Sequence, residues 1–157
     1  MMRTSTEGQA LIKSFESCRL QAYWDPQCSR WTIGWGRARG VQEGDTCTQE
    51  QADDWFIEDL ADTETVVGNL GLVLSQPQFD AIISFCYNVG FGREGVKDGF
   101  LELKADGSPS TMLNRIRAQD YAAAAAEFPK WCHGAGGVEV PGLLRRRLAE
   151  QALFQGG

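Results

Sequence analysis

The stretch from Ser14 to Gly36 changes its residue pattern abruptly, and this change constrains the fold more than any other feature of the chain. Residues 4–17 have the apolar spacing of a helix. Residues 20–41 are instead rich in aromatic and β-branched side chains, which a turn at residues 26–29 interrupts. We therefore predict a helix that is followed at once by a small antiparallel sheet.

Two carboxyl groups flank this change of pattern. Glu16 lies in the last turn of the predicted helix, Asp25 opens the predicted turn, and Thr32 follows on the facing strand. Hydrolysis of a glycosidic bond needs one carboxyl group that donates a proton and a second that stays ionised. Apolar neighbours are expected to favour the protonated form of Glu16, whereas Asp25 is expected to stay charged and Thr32 to orient a water molecule. Glutamate at a helix end and aspartate before proline are also ordinary capping and turn residues, so their spacing alone does not decide between these interpretations.

Three capping-box patterns predict helix starts at Thr4, Thr48 and Ser75. The helix after Thr48 is expected to run for about 20 residues. Its predicted buried face is Ala52, Trp55, Phe56, Leu60, Thr63, Val66 and Leu70. The helix after Ser75 carries Pro77 in its first turn and is expected to be central and to end near Gly90. Its predicted buried face is Phe79, Ile82, Ile83 and Cys86.

The second half of the chain has a less regular pattern. Residues 90–110 are rich in glycine and charge, and we expect an irregular connection there with one helical turn around Leu101. Helices are predicted at 110–117 and 119–127. The last predicted helix has its buried face at Leu144, Leu148 and Ala152, with the three arginines at 145–147 on its solvated face.

The sum of these elements predicts an α+β fold that is mainly α. We expect one domain over residues 1–157, because no repeat or linker divides it. Its parts would be a helix and hairpin lobe at about 1–47, a connecting helix at about 48–70 and a helical lobe at about 71–157.

Charge and hydropathy exclude two classes of partner. The 157-residue chain has 15 Lys and Arg against 21 Asp and Glu, a formal net charge of −6, so its field repels nucleic acid. No apolar run is long enough to insert stably in a membrane. The first fourteen residues lack the apolar core of a signal peptide, which predicts synthesis in the cytoplasm.

The cysteines and the histidine do not form a metal-binding pattern. The five cysteines are unevenly spaced, so we interpret most of them as small apolar residues, with one or two disulfides formed in an oxidising compartment as the alternative. His133 is the only histidine, which argues against a zinc amidase. Cys132 and His133 would point in opposite directions in a strand, which argues against a cysteine hydrolase. We predict no cofactor and no metal.

Several segments resemble one known family. Residues 14–36, with Glu16, Asp25 and the TIGWG run from Thr32, resemble the catalytic segment of the phage-type lysozymes or endolysins of glycoside hydrolase family 24. QFDAIISFCYNVG at 78–90 is similar to the central helix of that family. DYAAAAAEFPKW at 120–131 and PGLLRRRLAEQALF at 141–154 resemble its C-terminal half.

The resemblance implies a lysozyme-like fold of two lobes and a metal-free muramidase. The expected reaction is cleavage of the β-1,4 bond between N-acetylmuramic acid and N-acetylglucosamine in peptidoglycan. Glu16 would be the acid, Asp25 its ionised partner and Thr32 the residue that positions water. We expect a monomer that stays in the host cytoplasm until another protein permeabilises the inner membrane, and then acts in the periplasm.

Three features depart from the family pattern. One extra residue separates Asp25 from Thr32, and we expect it in the turn or in a bulge, because a shift inside the paired strand would turn Thr32 away. Arg37 replaces a common histidine. The segment 95–109 is longer than expected and is predicted to alter the outer wall of the cleft.

Two rival functions remain open on the sequence. A lytic transglycosylase breaks the same bond with one acidic residue and leaves an anhydro sugar instead of adding water. A non-catalytic wall-binding or virion protein on the same scaffold is the other. Asp25 and Thr32 favour hydrolysis over the transglycosylase, whereas a test of Glu16→Gln is needed to decide against the non-catalytic protein.

Overall fold

A computed structural model describes residues 1–156 of the chain. The described elements follow in chain order: α1 (Thr6–Phe15), β1 (Arg19–Asp25), β2 (Arg30–Gly34), α2 (Gln49–Gly68), α3 (Gln76–Val89), α4 (Thr111–Arg117), α5 (Tyr121–Ala125) and α6 (Pro141–Gln155). Two short 3₁₀ turns, Phe128–Lys130 and Ala135–Gly137, precede α6. The predicted α+β fold that is mainly α is confirmed.

The first helix begins two residues later than predicted. Its N-cap is Ser5, whose side chain accepts a hydrogen bond from the Gly8 N–H at 3.2 Å. The predicted cap at Thr4 is wrong, because the Thr4 backbone N–H donates to the Glu64 carboxylate of α2 instead. This contact ties the start of the chain to the connecting helix.

The two strands form an antiparallel hairpin, and its register shows where the extra residue between Asp25 and Thr32 lies. Tyr23 pairs with Thr32 and Asp25 pairs with Arg30, so the extra residue lies in the turn at residues 26–29. Side chains of alternate residues share one face of a strand, and directly opposite residues share it across strands. Tyr23, Asp25 and Thr32 therefore face the same side, as predicted.

Helix α2 connects the hairpin to the helical lobe. It is 20 residues long, and the Thr48 side chain caps it by accepting from the Gln51 N–H at 3.1 Å. Four residues of the predicted face are buried: Ala52, Phe56, Leu60 and Thr63. Trp55, Val66 and Leu70 are only half-buried, Leu70 lies beyond the helix end, and Glu64 and Val67 are buried instead. The helix packs against both β2 and α3, so it joins the two lobes.

Helix α3 is the centre of the molecule, as predicted. The capping box at Ser75 is present, and every residue from Gln78 to Cys86 is buried. The helix packs against α1, α2 and α6. Because neighbours surround it, polar residues as well as apolar ones on this helix lose contact with solvent.

The glycine-rich segment after α3 contains no helix in its described structure, so the predicted helical turn around Leu101 is wrong. Backbone hydrogen bonds hold the segment instead, including one from the Leu101 N–H to the Phe91 carbonyl at 2.8 Å. A Cβ atom at Gly99 would lie 1.9 Å from the Gly92 nitrogen. Glycine is required because two backbone segments touch here.

The last helix buries a different face from the one predicted. Leu148 is 45% exposed, whereas Arg146, Arg147, Glu150 and Phe154 are buried. The spacing of apolar residues predicted the wrong buried face, because charged residues can be buried when they form ion pairs inside the protein. The helix predicted at 119–127 is also shorter, since α5 ends at Ala125.

None of the helices in residues 1–156 is long and apolar enough to cross a membrane. All five cysteines are free thiols in this structure.

Candidate active site

A cavity of about 580 Å³ lies between the hairpin and the helical lobe. Glu16, Asp25 and Thr32 all line it, together with Tyr23 and Tyr87. The three residues come from the end of α1, the end of β1 and the middle of β2. The structure therefore brings together all three side chains that the sequence pattern selected.

Glu16 occupies the position that ends α1. Its backbone N–H donates to the Ile12 carbonyl at 2.9 Å, while its own backbone is extended, with φ −94° and ψ 112°. The chain therefore leaves the helix at this residue. The rigid helix end positions the side chain at the cleft.

The surroundings of Glu16 differ from the apolar environment that the sequence predicted. Its Oε1 accepts a hydrogen bond from Arg146 Nη1 at 2.6 Å, and its side chain is 19% exposed. A short hydrogen bond from a charged donor holds the carboxyl group in one orientation. The expectation of an apolar setting for this residue is therefore wrong.

Contacts with Glu150 and Ser84 fix the position of the Arg146 side chain. Its Nε lies 3.3 Å from Glu150 Oε2, and its Nη2 donates to the Ser84 carbonyl at 3.2 Å. The guanidinium group is 3% exposed and therefore has little freedom to move. Burial raises the pKa of the Glu150 carboxyl group, while the charges of Arg147 and Arg146 oppose that rise.

Arg146 was not among the site residues predicted from the sequence. The signal available was the spacing of Arg146 and Glu150, four residues apart on one helix, which indicates an ion pair on a shared face. The run of three arginines at 145–147 hid it, because such runs are usually solvated.

Two glycines of the TIGWG run are explained by close contacts. Gly36 has φ 107°, and a Cβ atom there would lie 3.1 Å from Glu16 Oε2. Gly34 has φ 63°, and a Cβ atom there would lie 3.3 Å from the Ala52 Cβ atom on α2. Any larger residue at position 36 would crowd the carboxyl group in the cleft.

Asp25 is held by the turn that it opens. Its Oδ1 accepts from the Gln27 N–H at 2.9 Å, an Asx turn that fixes the carboxylate beside the cleft. Desolvation raises the pKa of Tyr23, and the charges of Asp25 and Glu16 raise it further. Tyr23 lines the same cavity as both carboxyl groups.

Thr32 is almost fully buried, with 4% of its surface exposed, although it lines the cavity. Its hydroxyl group donates to the Arg30 carbonyl at 3.4 Å, which is a long and therefore weak hydrogen bond. A bound water molecule could readily compete for this hydroxyl group.

Arg37 does not disturb the packing behind the site. Its guanidinium group lies over the Trp55 ring at 5.1 Å and forms an ion pair with Glu58 at 3.0 Å. Both partners are on α2, so Arg37 points away from the carboxyl groups and fastens the hairpin to the connecting helix.

Cys28 lies in the turn beside Asp25 and also lines the cavity. Desolvation raises the pKa of the Cys28 thiol, and the charge of Asp25 raises it further. A raised pKa leaves less thiolate at neutral pH.

We therefore expect iodoacetamide to modify Cys28 more slowly than it modifies free glutathione at pH 7, and we expect the rate to keep rising above pH 9. Peptide mapping by mass spectrometry measures this rate. Labelling as fast as that of glutathione at pH 7 would contradict the expectation, and Asp25→Asn should accelerate labelling.

Among residues 1–156, no group of three or more histidine, cysteine, aspartate or glutamate side chains is placed to hold a metal ion. The groups at the cleft that can take part in glycoside hydrolysis are the carboxyl groups of Glu16 and Asp25 and the Thr32 hydroxyl group, with the Arg146 guanidinium group behind Glu16. A cleft between two lobes with these groups on its walls is a site of the glycosidase class.

Comparisons with known proteins agree with this class. The family model described as phage lysozyme matches residues 13–150. The endolysin of Acyrthosiphon pisum secondary endosymbiont phage 1 is 37% identical, with 98% of this chain and 99% of the relative covered. The endolysin of Bacillus phage PZA is 38% identical over 99% of this chain, which spans only 56% of that relative. The chain belongs to the phage lysozyme family.

Solved structures show the same fold. The muramidase domain of SpmX from Asticaccaulis excentricus is 34% identical with a TM-score of 0.78, and 98% of each chain is covered. A mutant of P22 lysozyme is 32% identical with a TM-score of 0.73, and 99% of each chain is covered. The predicted lysozyme-like architecture is confirmed.

Proposed function

We propose that Glu16, Asp25 and Thr32 carry out the hydrolysis that this lysozyme performs on peptidoglycan. Family and fold make the chain a glycoside hydrolase of the muramidase type, which cleaves the β-1,4 bond between N-acetylmuramic acid and N-acetylglucosamine. The observation that carries the residue assignment is the meeting of the three side chains in one cavity.

Glu16 is the proposed general acid. Arg146 holds Oε1, whereas Oε2 has no hydrogen-bond partner among the described residues and lies against Gly36. An oxygen without a protein partner is free to carry a proton and to donate it to the leaving glycosidic oxygen. The fixed orientation of the carboxyl group supports this role, because proton transfer needs a donor within hydrogen-bonding reach.

Asp25 and Thr32 are proposed to act on the nucleophile. A water molecule between the Asp25 carboxylate and the Thr32 hydroxyl group would be deprotonated by the first and oriented by the second. Attack by this water on the face opposite the leaving group inverts the anomeric centre. Tyr23 pairs with Thr32 and is two residues before Asp25 on β1, so it would shape the wall against which the sugar lies.

Product analysis tests the reaction type. Digestion of purified peptidoglycan should give fragments with reducing N-acetylmuramic acid ends, which mass spectrometry separates from 1,6-anhydro ends. Predominantly 1,6-anhydro ends would favour the lytic transglycosylase. No cleavage of any wall preparation would favour the non-catalytic wall-binding or virion protein.

Removal of the Thr32 hydroxyl group tests its role with water. Thr32→Val keeps the shape of the side chain, and we expect about a 10²-fold fall in kcat/KM on purified wall, because a misplaced reactant costs about that much. Thr32→Ser keeps the hydroxyl group and should retain most of the activity. If Thr32→Val stays within about twofold of the parent and melts at the same temperature, another group orients the water.

The remaining assignments follow from the proposed role as an endolysin. We propose a monomer that does not bind nucleic acid, is held in the host cytoplasm until release and then acts on the wall in the periplasm. The net charge of −6 supports the absence of nucleic acid binding.

A further inference from the structure

A second cavity of about 670 Å³ continues the cleft beyond the carboxyl groups. The two cavities share lining residues, including Cys28 from the hairpin turn and Val96 and Lys97 from the segment after α3. Trp131 and His133 form part of the far wall. A ligand in the first cavity therefore has a continuous path into the second.

The second cavity is basic, although the protein is acidic. Lys97, Lys104, Lys130 and Arg147 line it, against the single carboxylate of Asp98. In the described part of the chain, no carboxylate lies within 4.0 Å of the Lys97 or Lys104 ammonium group, whereas Lys130 pairs with Glu127. A local cluster of one sign within a concave wall attracts ligands of the opposite sign, whatever the net charge of the molecule.

Arg147 lies behind this wall, and Glu150 compensates its charge. The residue is fully buried, its Nε lies 2.6 Å from Glu150 Oε1, and its Nη2 donates to Asn88 Oδ1 at 2.8 Å. Its Nη1 has no hydrogen-bond partner in the described structure. Because the Arg147 side chain has no exposed surface and is paired with Glu150, the positive charge available to a ligand at this wall is that of Lys97 and Lys104.

We propose that the second cavity binds the carboxylates of the peptide stem of peptidoglycan and thereby distinguishes stems with free carboxylates from stems in which they are amidated. The inference rests on the proposed function, because it places the sugar chain in the first cavity. The sugars next to the cleaved bond carry no free charge, since the lactyl group of N-acetylmuramic acid is joined to the peptide by an amide. The charge of the substrate therefore lies in its stem.

Amidation removes negative charge without changing the glycan chain or the bond that is cleaved. A carboxylate accepts charge-assisted hydrogen bonds from ammonium and guanidinium groups, whereas a carboxamide offers only one neutral acceptor and adds N–H donors that face other donors. We expect a preference for the carboxylate form of roughly three- to tenfold in kcat/KM at low ionic strength, because exposed ion pairs are individually weak. The preference should shrink as salt is added.

The experiment compares three purified walls: stems with free carboxylates, the same wall with its stem carboxylates chemically amidated, and glycan strands from which an amidase has removed the stems. Release of reducing ends measures kcat/KM for each. The parent enzyme is expected to cleave the first wall fastest. Equal kcat/KM on the carboxylate and amidated walls would overturn the inference, whereas failure to cleave all three would instead refute the proposed function.

Paired variants assign the preference to the cavity. Lys97→Gln with Lys104→Gln should bring the ratio between carboxylate and amidated walls close to one, while Lys97→Arg with Lys104→Arg should preserve it. Arg115→Gln with Arg117→Gln removes the same charge from the exposed last turn of α4 and should leave the ratio unchanged. If this control lowers the ratio as much as the lysine pair, net charge and not the cavity sets the preference.

Discussion

Glu16→Gln is expected to reduce the rate of wall hydrolysis by about 10²- to 10⁴-fold, the contribution usual for a general acid. Glutamine has no proton of suitable acidity to give to the leaving oxygen. Its amide oxygen can still accept the hydrogen bond from Arg146, which in the parent is 2.6 Å long. The fold and the affinity for wall should therefore be retained, as thermal melting and a pull-down with insoluble wall would measure.

The matched control for this variant is Glu7→Gln. Glu7 is an exposed glutamate in the first turn of the same helix, so the change removes the same charge far from the cleft. This control should hydrolyse wall at the parent rate. The acid assignment is wrong if the Glu16 variant clears a suspension of wall as fast as the control does.

Glu150→Leu is expected to lower the free energy of unfolding by about 3–5 kcal/mol, because removal of one partner leaves buried charge without compensation. Glu150 is fully buried between Arg146 and Arg147. Without it, Arg146 would keep only Glu16 as an acidic partner, and Arg147 would lose the acidic partner that the described structure gives it. A protein of this size loses about 2–4 °C of melting temperature per kcal/mol, so the melting temperature should fall by about 6–20 °C.

A double variant separates the ion pair from simple packing. Arg147→Met with Glu150→Leu removes one charge of each sign and leaves Arg146 paired with Glu16, so much of the lost stability should return. Calorimetry or denaturant titration of the parent, the two single variants and the double variant measures the coupling. A Glu150→Leu protein within about 0.5 kcal/mol of the parent would contradict the importance of the pair, since that is the usual range for surface changes.

Much of the candidate site could be predicted because its parts are close in the chain. Glu16, Asp25 and Thr32 belong to one helix end and one hairpin, and the register of a hairpin follows from the alternation of its side chains and the length of its turn. The extra residue before Thr32 was expected in the turn or a bulge, and it lies in the turn. Helix α3 was predicted equally well, because its cap and its apolar spacing agree.

The predictions were wrong where ion pairs or backbone contacts, and not the burial of regularly spaced apolar residues, determine the structure. The segment after α3 was expected to hold a helical turn at Leu101, but contacts such as that between Gly92 and Gly99 hold it instead. Helix α6 was predicted to bury Leu144, Leu148 and Ala152, whereas it buries Arg146, Arg147, Glu150 and Phe154.

The amino-acid sequence by itself determined the order of the elements, the hairpin that presents Asp25 and Thr32, and the glutamate at the end of the first helix. These depend on local preferences of the backbone and on spacing within a few turns. Only the tertiary structure decided what surrounds the glutamate. Arg146 reaches Glu16 from 130 positions away. Whether an arginine is solvated or buried depends on the counter-ions that other elements supply, and those distances exist only after the chain has folded.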